Sequence, residues 1–544
     1  MRLALILLPL AAMAQTARVG VSVTERKLAL ADAIETALRS NLDLEIERTN
    51  IAAAQSSLKG SYGVFDGLFR YAPGYENRNT PTSSILFGAD GKLKETFNNH
   101  TLSYLRKLDW NGASVQALFD NSRQSTTNPF VGLNPYTNSR LGIGVSLPLW
   151  RNRLIDPDRA GIRVRSKNVE ISQVDLELRV IDVVTRVELA YWDLVAARQN
   201  VTVTADGVNW AQEQLARTKR AIDAGTVARV EIAAAEAELE RRKDTYFSTL
   251  AAVTEAENAI KTLIASGRAE DIWNDQLIPT DDRMVDMAAS NDLPQAVKLA
   301  VEKRPELRQI SLREENNRTQ RDLATDQIKP RIDLNTNYSV AGLAGTQPTS
   351  AGANPFSEAN TITFRRLNEL SARVGLPPVA PPSFSGGIPP SLVGGYGSTL
   401  SNLFGWNYQT VQAGLSMDFN TRNRAAHAAV EQTVIAEKRL KLERERAAQA
   451  IAAQVRNAMQ ALDSARHRIL AADASARAAK EKLDSETRLF QTGESTNFLV
   501  LTRQNEHLDS MRRAVIARLD FNRAAARLQQ ATGTTLENRK LTVK

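Results

Sequence analysis

The sequence says the same thing twice. Leu30, Ala33, Ile34 and Ala37 recur as Leu293, Ala296, Val297 and Ala300, each 263 positions later, and the turn-like Asn41–Leu44 answers Arg304-Pro305-Glu306-Leu307. Gly144-Val145-Ser146-Leu147 returns as Gly414-Leu415-Ser416-Met417, and both are followed by Arg-Asn-Arg, at Arg151–Arg153 and Arg422–Arg424. Val187 and Leu194 recur as Val455 and Leu462, and Gly225 as Gly493, at a separation of 268. A duplicated order of this kind constrains the fold more than any single motif, because each copy must build the same supersecondary unit.

Within each copy the pattern predicts a helix, a strand-rich segment, a very long helix, one glycine break and a shorter helix. The long helices are expected over residues 157–223 and 424–491. In the first, Val180, Val183, Val187, Tyr191, Leu194 and Val201 form a stripe at three-and-four spacing; in the second, Ile451, Val455, Met459, Leu462 and Ile469 do. At about 1.5 Å per residue each would run roughly 100 Å, too long for a compact globular domain, so both are expected to project as coiled coils. Pairs such as Ala447-Ala448, Ala452-Ala453 and Ala471-Ala472 allow close antiparallel packing. Gly225 and Gly493 suit the left-handed residue that ends a helix and reverses the chain, which places a hairpin tip at each.

The segments between the first and the long helices are rich in Asn, Ser, Thr, Gly and aromatic residues. Alternation predicts strands at Leu68–Tyr75, Thr101–Leu108, Ala113–Phe119 and Leu141–Leu149, with a tight turn at Asn111-Gly112. In the second copy Arg331–Val340 and Tyr408–Phe419 read as strands. They flank a Gly/Pro-rich connection containing Leu376-Pro377-Pro378 and Ile388-Pro389-Pro390, expected as a long exposed loop. An acidic linker, residues 267–292, joins the copies and is expected to wrap the outside of the helical body.

The chain opens with Met1-Arg2, an apolar run from Leu3 to Ala12 and Ala12-Met13-Ala14, the pattern of a secretory signal cleaved after Ala14. No later stretch reaches the roughly 18 to 20 apolar residues of a membrane-crossing helix, so membrane entry is expected through strands that close into a barrel. Cysteine is absent, which removes disulfides, thiolate metal sites and a lipidated cysteine. The net charge of +8 comes from Lys and Arg interspersed with Asp and Glu along helix faces, and no basic and aromatic patch points to nucleic acid.

Catalytic patterns are missing. His100, His427, His467 and His507 are far apart in sequence, and there is no phosphate loop, nucleophile elbow or cysteine nucleophile. Carboxylates are scattered on amphipathic helices, and Tyr191-Trp192 reads as packing. Neither enzyme activity nor a cofactor or metal is expected.

The opening Leu28-Ala29-Leu30-Ala31-Asp32-Ala33-Ile34, the junction Ser146-Leu147-Pro148-Leu149-Trp150-Arg151, the paired glycine tips and the closing Ala531-Thr532-Gly533 together resemble the TolC-like outer-membrane efflux protein family over essentially the whole mature chain. The resemblance implies a mostly α fold with a membrane β-barrel portion, built from two tandem repeats, 15–266 and 293–533, with a tail over 534–544. It implies a homotrimer whose strands close one barrel in outer-membrane lipid and whose helices continue it as a periplasmic tunnel. The tunnel's closed tips, near Gly225 and Gly493, open on docking a periplasmic adaptor and an inner-membrane pump, and the pump supplies the energy. Relatives usually give four strands per protomer, and the hairpin around Asn111-Gly112 departs from that. Relatives ring the constriction with acidic side chains just beyond the second glycine. Those places fall here at Leu499 and Thr502, so the carboxylates are missing, and Glu231, past the first tip, is the nearest acidic candidate beside its reading as a solvated helix residue. Multidrug, metal and protein-secretion ducts all fit. The alternative from another class is a non-conducting periplasmic coiled-coil or adhesin-like protein.

Overall fold

A computed structural model describes residues 18, 24–83, 91–128, 130–225, 228–267, 271–281, 292–348, 355–379 and 388–541. The expected signal segment, 1–14, lies outside the described residues. The chain divides into two compact units: Met1–Ser56, Lys167–Glu315 and Glu437–Lys544 form one, and Ser57–Ser166 and Asn316–Ala436 form the other.

The first unit is helical. α1 (Leu30–Ser40) buries Leu30, Ala33, Ile34 and Ala37, the face set by their spacing, and α2 (Leu42–Ser61) follows after Asn41, whose side chain accepts from the Asp43 N–H at 3.0 Å. They pack on α3 (Pro157–Asp223) and α4 (Val230–Ile264) in a core containing Val187, Tyr191, Leu194, Val253, Ile260 and Ile264. α5 (Leu293–Lys303) and α6 (Pro305–Ile328) stand in the same relation to α9 (Arg424–Thr492) and α10 (Asn497–Thr532): Ala300, Leu307, Ile310, Ile451, Val455 and Ala531 form a second core. Tyr191 and Trp192 are both buried, ring edge to ring face at 5.6 Å, as packing residues.

The inter-repeat linker does more than wrap the surface. β6 (Gln276–Pro279) pairs in parallel with β1 (Glu25–Leu28), and its Leu277 is fully buried in the first core. The reason lies in α4. Lys261, buried and otherwise costly there, donates to the Trp273 and Asp275 carbonyls at 3.0 and 2.6 Å, and so pulls the linker inward. One turn earlier Glu257, also fully buried, accepts from Arg198 at 2.7 Å and from Arg18 at 3.0 Å.

The second unit carries one antiparallel sheet of six strands, in order β2 (Leu68–Pro81), β3 (Lys92–Lys107), β4 (Ser114–Thr126), β5 (Tyr136–Pro148), β7 (Arg331–Gly345), β8 (Gln409–Asp418). Asn111 and Gly112, at φ 49° and 67°, make the β3–β4 turn. A Cβ on Gly112 would lie 2.7 Å from the Asn152 carbonyl oxygen, so the turn needs glycine for closeness as well as conformation. Several strands run farther than the apolar alternation predicts. β2 continues through Asn77–Pro81 and β3 begins at Lys92, because ladder hydrogen bonds hold these polar ends where no apolar face marks them.

Register sorts the sheet into two faces. On β7, Ile332, Leu334, Thr336, Tyr338 and Val340 share one face with Leu147, Val145, Ile143 and Leu141 of β5 and with Met417, Leu415, Ala413 and Val411 of β8. Phe69 and Tyr71 of β2 and Tyr104 and Leu102 of β3 lie on that same face. The opposite face carries Arg331, Asp333, Asn335, Asn337, Asn138, Arg140, Asp120 and Ser122. Both edges are open: β2 and β8 are exposed at every residue, with Phe69 71% and Val411 75% exposed.

The Gly/Pro-rich connection is not simply an exposed loop. It contains α7 (Pro355–Arg373) and α8 (Tyr396–Phe404), and α8 packs on β5 and β7 through buried Thr399, Asn402 and Leu403. Asn402 fastens it by donating to the Leu343 and Ser391 carbonyls at 2.9 and 2.7 Å. Pro355 opens α7 and Pro377-Pro378 follow its end, a role that composition alone does not distinguish from loop.

Candidate functional site

The two hairpin ends share a left-handed glycine. Gly225 and Gly493 adopt φ 73° and 82°, and a Cβ on either would meet nothing, so backbone conformation and not crowding calls for glycine. At the second end the Gly493 N–H bonds the Phe490 carbonyl at 3.2 Å and the Glu494 N–H bonds that of Leu489 at 2.9 Å, closing α9 with the paired bonds of a Schellman motif. Thr496 then caps α10, its side chain accepting from the Leu499 N–H at 3.4 Å. At the first end the Gly225 N–H bonds the Ile222 carbonyl at 2.8 Å.

Glu231 sits in the first turn of α4, half-buried, with no side-chain hydrogen bond or ion pair among the described residues. Leu499 lies in the first turn of α10 and is 38% exposed; Thr502, one turn on, turns its hydroxyl back to the Phe498 carbonyl at 2.9 Å. No described contact joins Glu231 to Leu499 or Thr502. More exposed than any of these are Val230 (72%) and Phe498 (74%), each five residues past its glycine and 268 positions apart. Sequence reasoning passed over this pair, although the repeat separation that matched the glycines also matches them.

Above the ends, polar and aromatic side chains cross from one hairpin to the other. Gln214 of α3 donates to Asn497 of α10, and Arg242 of α4 donates to Asn505 of α10 while its Nε holds Glu238 at 2.8 Å. His507 of α10 stacks on Trp210 of α3, ring centroids 5.9 Å apart, and is 8% exposed, its Nδ1 without a hydrogen-bond partner among the described residues. Burial, and after it the charge of Lys480, push the His507 imidazole below its ordinary pKa; Asp484 and the Ala476 backbone act the other way. This neutral ring is a packing surface that a proton would disrupt. The signal that could have found the region is Gly207, a glycine in a helix interior: a Cβ there would lie 3.2 Å from Leu508.

Among the described residues no group of three or more His, Cys, Asp or Glu side chains is placed to hold a metal ion, and no helix is long and apolar enough to cross a membrane. What the arrangement offers is two helical hairpins with separable contacts, on a chain that also carries a two-faced, open-edged sheet.

Residues 114–266 match the outer membrane efflux protein family. The outer-membrane channel OprN superposes with a TM-score of 0.60 at 13% identity, covering 93% of this chain and 90% of that one. The chain has the fold of the TolC-like outer-membrane efflux channels. Other channels of this fold align as fully: CmeC of Campylobacter jejuni at 14% identity, covering 94% of this chain and 88% of that one with a TM-score of 0.59, and the open state of MtrE of Neisseria gonorrhoeae at 16%, covering 93% and 89% with 0.58. No curated protein sequence matches the chain. The TolC-like fold accounts for the duplicated order of helices and strands, and the proteins that share it here are channels, not enzymes.

Proposed function

We propose that this protein is the outer-membrane exit duct of a tripartite efflux or type I secretion system, a homotrimer that passively conducts substrates delivered by a periplasmic adaptor and an inner-membrane pump. The sheet carries the reading. One face is apolar, the other polar, and both edges are unpaired, which in lipid is tenable only if the edges close on further strands. Six antiparallel strands leave β2 and β8 running in opposite directions, so β8 of one copy meets β2 of the next in the same antiparallel sense. Three copies would give a barrel of about 18 strands, wide enough for an aqueous lumen lined by the polar face.

In this reading the chain is exported by its signal segment and Gly225 and Gly493 mark the periplasmic, adaptor-docking end. Val230 and Phe498 are the apolar side chains offered there, and Leu499, Thr502 and Glu231 lie nearest the constriction. With no carboxylate at Leu499 or Thr502, an apolar ring at Leu499 would restrict ion flow by dewetting.

The test is the oligomeric mass of the detergent-purified chain together with its conductance in planar bilayers. A trimer with small, discrete conductance is expected. A water-soluble monomer or dimer without conductance would overturn the duct and leave the non-conducting coiled-coil protein in its place.

A further inference from the structure

α8 lies on the apolar face of the sheet, and its height there is set by the register. Moving along β7 and β5 away from the helices, the outward apolar positions end at Val340 and Leu141; the next outward positions are Gly342, Ala344, Ser139 and Thr137. α8 covers that level. A Cβ on Gly342 would lie 2.2 Å from the Thr399 carbonyl oxygen, and the Thr399 hydroxyl reaches the Thr137 carbonyl at 3.4 Å. With Thr399, Asn402 and Leu403 turned inward, Tyr396 and Phe404 stay exposed, as do Trp406 and Tyr408 in the run that leads into β8. Trp406 stacks on Tyr338, the aromatic residue near the end of the apolar face, with ring centroids 5.8 Å apart. It does so at φ 55°, a left-handed conformation that a bulky residue adopts only at a cost.

An exposed aromatic cluster directly beyond an apolar band has the chemistry of a membrane interface, where amphipathic rings sit at headgroup level. The non-helical backbone at Val393–Gly395 and Trp406–Asn407 adds a limit, since irregular lipid-facing backbone does not occur within hydrocarbon. Resting on the duct reading, we propose that α8 and the segment after it form an outer-leaflet anchor, with Tyr396, Phe404, Trp406 and Tyr408 set at the boundary between lipid headgroups and acyl chains. The outer leaflet is specified by direction, because β5 leads into α3 and α6 leads into β7 at the other end of the strands.

The experiment is tryptophan quenching of the full-length protein reconstituted in phosphatidylcholine vesicles whose acyl chains are brominated either near the carbonyl or at mid-chain. The Trp406 contribution is the difference between the native protein and Trp406→Phe. Phe404→Trp in that variant supplies a second emitter on the same surface, and Ile143→Trp reports the middle of the apolar face. The expected result is stronger loss of emission from positions 404 and 406 with shallow bromines, and stronger loss at position 143 with mid-chain bromines. Quenching at position 143 without any at 404 or 406 would overturn the anchor and leave the duct standing, as would emission at 406 shielded by a second copy of the chain. No quenching at any of the three positions would overturn both.

Discussion

Residues 268 positions apart occupy equivalent places in the two hairpins, yet the roots of those hairpins are filled with different chemistry. Val187 and Val455 are both fully buried, and Val253 corresponds to Phe521, buried as well. Around these shared anchors the halves diverge. Leu194 is fully buried, whereas its counterpart Leu462 is half-buried; Glu257 and Lys261 correspond to Ala525 and Gln529; nearer the glycine ends, Leu239 corresponds to His507. The first root uses buried charge to hold the N-terminal segment and the linker, and the second closes with small side chains and leaves apolar residues of α9, such as Leu442 and Leu470, exposed. A common backbone therefore needs only a few common apolar positions, and the rest of each half is free to serve a separate purpose. In the duct reading the exposed side of α9 is what a neighbouring copy covers.

The largest expected break in this comparison comes from Glu257→Ala. Removing the carboxylate leaves Arg198 and Arg18 facing each other in a dry site, a loss of about 3–5 kcal/mol by analogy with other broken buried pairs. Ala525→Ser, the matching position in the second half, removes no partner of any charge and is expected to cost far less. Urea unfolding of the detergent-solubilised protein reads both; similar losses would mean that the charge cluster is not what holds the first root.

A smaller contrast is expected between Leu194→Ala and Leu462→Ala. The first empties a fully buried site and should cost about 2–5 kcal/mol, whereas the second, half-exposed, should cost less. Equal losses in the same unfolding experiment would break the comparison and place Leu462 under cover supplied by another chain.

How much of this was readable beforehand depended on what held each element. The long helices were legible because Val180–Val201 and Ile451–Ile469 keep one period over many turns, and Gly225 and Gly493 end them by a rule of backbone conformation. Strand identity was legible from alternation, strand length was not, because Asn77–Pro81 and Lys92–Asn98 are held by ladder bonds between polar residues. The inward pull of the linker was hidden, since a lysine on a helix ordinarily reads as solvated and nothing local marks Lys261 as buried. α8 was hidden for a related reason. Its nine residues are too few for periodicity to speak, and its docking depends on a distant glycine, Gly342, whose absent side chain makes the room. At the hairpin ends the conformation was readable, while the cross-hairpin contacts of Gln214, Arg242 and His507 needed three dimensions.

The pair Leu239 and His507 gives the smallest effect and the sharpest test of whether the halves differ in function as well as packing. Both are 8% exposed, but only one can take a proton. Because burial and Lys480 hold the His507 pKa below the ordinary 6.5, the packed state refuses a proton that the separated state, with its ring in water, accepts. Packing of His507 on Trp210 is thus fully favoured above that ordinary value. It is lost progressively as pH falls from 6.5 toward the depressed value, Asp484 limiting the loss. Acidification across that window should raise the open fraction of bilayer-reconstituted channels. His507→Leu, which gives the second hairpin the first one's residue, should flatten the response while leaving conductance at neutral pH near the native level. An unchanged pH response in the variant would show that the proton acts elsewhere, and that the histidine, like its counterpart leucine, only fills space.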